Sequence, residues 1–158
     1  MKVVRMVIAV MFALFMTASL GMAAKKHDVF KAYLSGKHEV PATMTKATGE
    51  AVFRLSKDGK EMTYDLRVKG IENVTASHIH AGKTGENGGP VVGLFGGPKK
   101  EGKFGGELAK GVITEKDLVG PLAGKTVGDL AKMIADGDAY VNVHTDKFPD
   151  GELRGQIK

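Results

Sequence analysis

Alternation of apolar and polar residues with a period of two is the feature that most restricts the fold of this chain. In segment 62–68, the side chains of Met62, Tyr64, Leu66 and Val68 would share one face of a β-strand. Similar segments cover residues 29–34, 50–55, 74–80, 90–95, 104–108, 139–144 and 152–157. With 22 glycines available for turns, this pattern predicts an all-β sandwich or barrel of antiparallel strands.

One segment has a helical period instead. Apolar residues recur at helical spacing over 127–134, and Thr126 stands at the N-cap position with Asp129 three residues later. Gly137 follows as a stop signal. The sequence therefore predicts one short helix near 127–136 within the β domain.

Residues 1–24 have the order of a secretory signal peptide. Lys2 and Arg5 form a basic start, residues 6–16 are all apolar, and small residues offer a cleavage site after Ala23 or Ala24. The apolar run is too short to span a bilayer comfortably. We expect a cleaved signal peptide and one β domain over 25–158. The mature protein would be periplasmic or secreted, without a membrane anchor.

Cysteine usage and charge exclude several functional classes. The chain has no cysteine, which excludes disulfides, thiolate metal ligands and thiol catalysis. Removing Lys2 and Arg5 with the leader lowers the formal net charge from +5 to +3. No run of Lys or Arg exceeds two residues, and aromatic residues do not interleave with basic ones, so we expect no nucleic-acid partner.

Three histidines occur in strand-like segments. His78 and His80 flank Ile79, so both imidazoles would project from the same face of a strand. In segment 139–144, His144 shares a face with Asn142, opposite two valines. If these two strands pair and the apolar residues face the core, the three imidazoles meet outside the sheet. Such a set would suit copper or zinc.

A structural role for the same histidines stays open. Histidines in strands often bond loop carbonyls, and the glycine-rich loop 82–89 follows His80 directly. Of the other histidines, we expect His38 to be an exposed surface residue. His27 would lie near the new N-terminus, where it would bind Cu(II) only weakly.

Several longer motifs carry a resemblance to a known family. They are Gly36-x-x-Glu39-Val40-Pro41, Ser77-His78-Ile79-His80-Ala81-Gly82, Gly85-Glu86-Asn87-Gly88-Gly89-Pro90-Val91-Val92, Asp117-Leu118-x-Gly120-Pro121-Leu122, Ala139-Tyr140-Val141-Asn142-Val143-His144-Thr145 and Gly151-Glu152-Leu153-Arg154-Gly155-Gln156-Ile157. Together they closely resemble the CHRD (chordin-type) domain, from about residue 30 to 157. The resemblance implies an exported β-sandwich domain, and it does not transfer the growth-factor antagonism of the animal protein to a single domain.

A fainter similarity links the chain to copper/zinc superoxide dismutases. Those enzymes have a Greek-key β-barrel, a His-x-His strand, a later Val-x-His-like strand and an Arg-Gly pair before the last strand, as Arg154-Gly155 is here. The bridging histidine, the zinc ligands and the disulfide cysteines of those enzymes have no evident counterparts in this chain. The similarity implies a Greek-key fold more than it implies dismutation.

Glu39 and Arg154 lie in the family-like motifs and have two interpretations. They either form an ion pair that ties the first strand region to the last strand, or act at the site, with Arg154 attracting an anion and Glu39 serving as a ligand. With Asn142, we place them around the three histidines, where they would either hold the ligands in position or stabilise the fold.

We therefore predict an exported binding protein that holds copper, or alternatively zinc, through His78, His80 and His144, without catalysis. A protein-interaction or matrix module with structural histidines is the first alternative. A superoxide-dismutase-like copper enzyme is the second. Neither a nucleophile with a partner base nor a phosphate-binding loop stands out, because Ser77 and His78 would face opposite sides of their strand.

Overall fold

Seven strands, one α-helix and three short 3-10 helices make up the computed structural model, which describes residues 28–158. The expected signal peptide, residues 1–24, lies outside the described residues. The strands are β1 (Val29–Ser35), β2 (Thr48–Leu55), β3 (Met62–Ala81), β4 (Pro90–Phe95), β5 (Lys100–Ile113), β6 (Ala139–Thr145) and β7 (Leu153–Gln156), and the helix is α1 (Val127–Ala135). Within residues 28–158, no helix is long and apolar enough to cross a membrane.

The sheet closes on itself. Strands β2, β1, β7, β6 and β3 are neighbours in that order, and β2 also pairs with β3. These five antiparallel strands form a closed barrel, which confirms the predicted all-β class. Strand β5 pairs with the first part of β3, and β4 pairs with its last part.

The apolar alternation fills the barrel. The inward-facing side chains of Phe53, Leu66, Ile79 and Val141 have no exposed surface. Helix α1 begins at the expected Thr126 cap, whose hydroxyl accepts a hydrogen bond from the Asp129 amide. The predicted helix is thus confirmed, and its buried face adds to the same core.

Strand β3 differs from the expectation of two separate strands. Segments 62–68 and 74–80 belong to one strand of 20 residues. Gly70 and Asn73 adopt positive φ angles of 69° and 51°, and the register with β5 shifts around them. Residues with the composition of a turn therefore form irregularities within a continuous strand. Within the barrel, the first part of this strand lies beside β2 and its last part lies beside β6.

The close approach of β1 and β7 at Gly155 predicts that replacing this glycine by alanine destabilises the fold more than the same change at Gly93 in β4. A Cβ atom on Gly155 would lie 2.5 Å from the Tyr33 carbonyl oxygen and 3.2 Å from the Leu34 Cα. Backbone atoms cannot yield as flexible side chains do, so Gly155→Ala should reduce the free energy of unfolding by about 2 kcal/mol. Urea denaturation measures this change.

Gly93→Ala in β4 is the matched control, because a Cβ there would meet no atom within 4 Å. It should leave the free energy of unfolding nearly unchanged. Equal stability of the Gly155→Ala variant and the wild type would contradict the close approach of β1 and β7.

Candidate metal centre

Pairing of β3 with β6 brings the three histidines together. His78 lies opposite Asn142, and Ala76 opposite His144. Ile79 faces the core with no exposed surface, so His78, His80 and His144 project from the outer face, where each is half-buried. The face and the strand pairing predicted for these side chains are therefore both present.

The imidazole nitrogens lie at distances that two ligands of one ion would have. The His78 Nδ1 and His144 Nε2 atoms are 3.1 Å apart. Two nitrogens that are each about 2.0–2.1 Å from a metal ion are separated by about 3 Å when their bonds diverge by roughly a right angle or the tetrahedral angle. One nitrogen from each of the three residues fits within a mutual distance of 4.8 Å. The cluster could hold one metal ion.

Loop carbonyl groups fix the orientation of two rings. The Nδ1 atom of His80 is 2.8 Å from the Gly88 carbonyl oxygen, and the Nδ1 atom of His144 is 2.8 Å from the Pro149 carbonyl oxygen. A carbonyl oxygen only accepts hydrogen bonds, so both Nδ1 atoms are assigned as N–H donors. The Nε2 atom of each neutral ring therefore keeps its lone pair for another partner.

The Nε2 atom of His80 is the least satisfied atom of the cluster. It is fully buried and has no hydrogen-bond partner in the described part of the chain. A buried polar atom without a partner is costly to the fold. The Nε2 atom of His144, by contrast, accepts a hydrogen bond from His78 if the His78 proton lies on Nδ1.

Burial favours the neutral form of all three imidazoles. It lowers the pKa of His78 to about 4, with further lowering by the neighbouring His144 and His80. Burial also lowers the pKa of His80 and of His144, although the bonds to Gly88 and Pro149 act in the opposite direction. Neutral imidazole is the form that binds metal ions.

Arg154 anchors the glycine-rich loop beside the cluster. Its guanidinium group donates hydrogen bonds to the carbonyl oxygens of Lys83 and Glu86 and to the Asn87 side chain, at 2.8, 2.7 and 3.0 Å. The loop can turn tightly because Gly88 has no Cβ atom. A Cβ at this position would overlap the Ala81 carbonyl oxygen. This anchoring places the Gly88 carbonyl against His80.

Tyr140 connects Arg154 to the histidines. The Tyr140 ring stacks on His80 with centroids 5.1 Å apart and an interplanar angle of 17°. On the same ring, the guanidinium carbon of Arg154 lies 3.5 Å from the centroid. Sequence reasoning did not assign Tyr140 to the site, although its alternation with Asn142 and His144 along β6 was a usable signal.

Glu39 and Arg154 do not form the direct ion pair offered as one interpretation. The Glu39 Oε1 atom accepts a hydrogen bond from the Asn142 Nδ2 atom at 2.7 Å, while Arg154 bonds the loop. Burial raises the pKa of Glu39 to about 7, against the lowering effect of the nearby Arg154 charge. Asn142 therefore contacts Glu39 rather than a histidine, and Gly151 leaves the room that this contact needs.

Comparison with known proteins places the chain in a family. A family model described as the CHRD domain matches residues 30–157. This chain belongs to the CHRD-domain family. The predicted resemblance is confirmed over the same range, whereas the similarity to superoxide dismutases stays a prediction. No curated protein and no solved structure matches the chain.

The low pKa of His78 predicts how the stability of this CHRD domain depends on pH in the absence of metal. The unfolded chain binds a proton on this residue near pH 6.5, but the folded chain binds it only near pH 4. Because the unfolded state binds more protons in this window, the free energy of unfolding should fall as pH decreases from about 6.5 to 4. Urea denaturation of metal-free protein across this range measures the slope.

The control compares slopes between variants. The raised pKa of Glu39 acts in the opposite direction between 4.5 and about 7, so the difference between wild type and His78→Asn is the informative quantity. The His78→Asn variant should have a smaller acid-induced loss of stability than wild type. Identical slopes for wild type and His78→Asn would contradict the buried, neutral state of His78.

Proposed function

We propose that this CHRD domain is an exported transition-metal-binding protein, with copper as the first candidate ion and zinc as the alternative. His78, His80 and His144 would be the ligands. The proposal concerns binding rather than catalysis, and periplasmic or secreted localisation rests on the leader-like order of residues 1–24.

The buried, unpaired Nε2 atom of His80 is the observation that carries this proposal. A metal ion would give this atom a partner. One nitrogen of each of the three rings lies within 4.8 Å of the other two, and the His78 Nδ1 and His144 Nε2 atoms are 3.1 Å apart. The bonds from His80 and His144 to loop carbonyls are the kind of outer contact that orients metal-binding imidazoles.

Ligand chemistry ranks copper above zinc in expected affinity, but it excludes neither ion. Imidazole suits both ions, and divalent copper binds such sites more tightly than divalent zinc in the general affinity order. Three histidines with one open position suit a tetrahedral zinc ion as well. The proposal therefore covers both ions and ranks copper first.

A second candidate function is an interaction module in which the histidines are structural. The hydrogen bonds from His80 to Gly88 and from His144 to Pro149 favour it, because each holds a loop against the sheet. In that case, loss of the His80 Nε2 atom should leave the function of the protein unchanged as long as the bond to Gly88 is kept.

His80→Asn separates the two functions. The Nδ2 group of asparagine occupies about the position of the imidazole Nδ1 group, so the bond to Gly88 can persist while the Nε2 ligand is lost. If His80 is a ligand, this variant should bind copper and zinc at least about 100-fold more weakly than wild type, with little change in thermal stability. Competition with a chromophoric chelator measures affinity, and elemental analysis of protein from the exported fraction measures metal content.

His38→Asn is the matched control, since His38 is exposed and lies outside the cluster. It should bind both ions as wild type does. Equal affinity of wild type and the His80→Asn variant for both ions would overturn the metal site and favour structural histidines.

A further inference from the structure

A cleft of about 470 Å³ lies beside the first strand, and its lining does not include the three histidines. It is formed by β1, the turn that follows β1, loop 82–89 and the end of the chain after β7. This volume is within the range of small-molecule sites, about 300–1,000 Å³.

Arg154 is a buried cation in the lining of this cleft. It is only 2% exposed, and among residues 28–158 no carboxylate lies within ion-pair distance of its guanidinium group. Buried charges in proteins are usually paired. The three bonds to loop 82–89 use three of the five N–H groups of the side chain, so donor capacity remains for an anion.

The other lining residues add positive charge. Lys31, Lys37 and Lys158 contribute exposed ammonium groups. Glu39 carries the sole carboxyl group among the lining side chains. Burial raises its pKa to about 7, against the lowering effect of Arg154, so this carboxyl group carries less negative charge at neutral pH than an exposed glutamate does. The side chains of the cleft therefore carry an excess of positive charge.

Apolar and aromatic surface accompanies this charge. Tyr33 is 63% exposed and Val40 is 37% exposed, although both are large apolar side chains. They lie in the same lining as the cations. A ligand with a planar apolar body could pack on the Tyr33 ring while its charged end meets the cations.

We infer that this cleft binds a small aromatic carboxylate. The carboxylate would neutralise the buried charge of Arg154 together with the rim lysines, and the ring would cover Tyr33 and Val40. This inference is independent of the metal proposal, because the two sites share no ligand residue. The stack of Arg154 on Tyr140 and of Tyr140 on His80 nevertheless connects the two sites physically.

Benzoate is the probe, and benzamide is its uncharged counterpart of the same shape. Titration of ¹⁵N-labelled metal-free protein at constant ionic strength should shift backbone amide signals around the cleft. The expected Kd for benzoate is in the low millimolar range, as about nine non-hydrogen atoms allow. Benzamide should bind at least about fivefold more weakly, since it offers no charge to the cations.

Lys31→Gln/Lys37→Gln removes two rim charges without touching the buried residues, and it should weaken benzoate binding about fivefold. Lys57→Gln/Lys116→Gln removes the same charge at exposed positions outside the lining and should bind benzoate as wild type does. Equal binding of benzamide and benzoate would overturn the inference. So would amide shifts confined to other surfaces, or a rim variant that binds as tightly as wild type.

Discussion

The antiparallel pairing of β3 with β6 is the constraint on which both the barrel and the candidate site depend. The pairing of Ile79 with Val141 buries two apolar residues on the inner face. The same register places the His78 Nδ1 atom 3.1 Å from the His144 Nε2 atom on the outer face. A slip by one residue would turn every side chain of the strand to the other face. Core burial therefore fixes the position of the imidazoles, and no contact between the histidines is needed to hold the strands in place.

Arg154 performs the corresponding role for the loops. It lies on β7, next to the seam that closes the barrel, and its guanidinium group bonds loop 82–89 while it stacks on Tyr140. The loop in turn supplies the carbonyl group that orients His80. One buried cation thus connects the barrel seam, the loop and the histidine cluster. Because no carboxylate among residues 28–158 lies within ion-pair distance of its guanidinium group, we infer that the same residue also draws anions to the neighbouring cleft.

The sequence predicted what depends on period and local chemistry. It predicted the strand faces, the capped helix after Thr126 and the family from its motifs. It did not predict that β3 is continuous, because Gly70 and Asn73 have the composition of a turn and only pairing with β5 makes them part of a strand. The bond between Asn142 and Glu39 was missed for a related reason. It depends on how the segment after β1 returns over the outer face, which no local pattern specifies.

We propose that one ion is shared by one nitrogen from each of His78, His80 and His144, and ¹⁵N NMR of the histidine rings in zinc-loaded protein would detect this sharing. Zinc is diamagnetic, and ring nitrogen shifts distinguish a protonated, a free and a metal-bound nitrogen. We expect metal-bound Nε2 atoms on His80 and His144, whose Nδ1 atoms stay protonated. His78 should bind through Nδ1, with its proton moved to Nε2. Unchanged spectra for these three rings with excess zinc, or metal-bound signals from His38 instead, would contradict it.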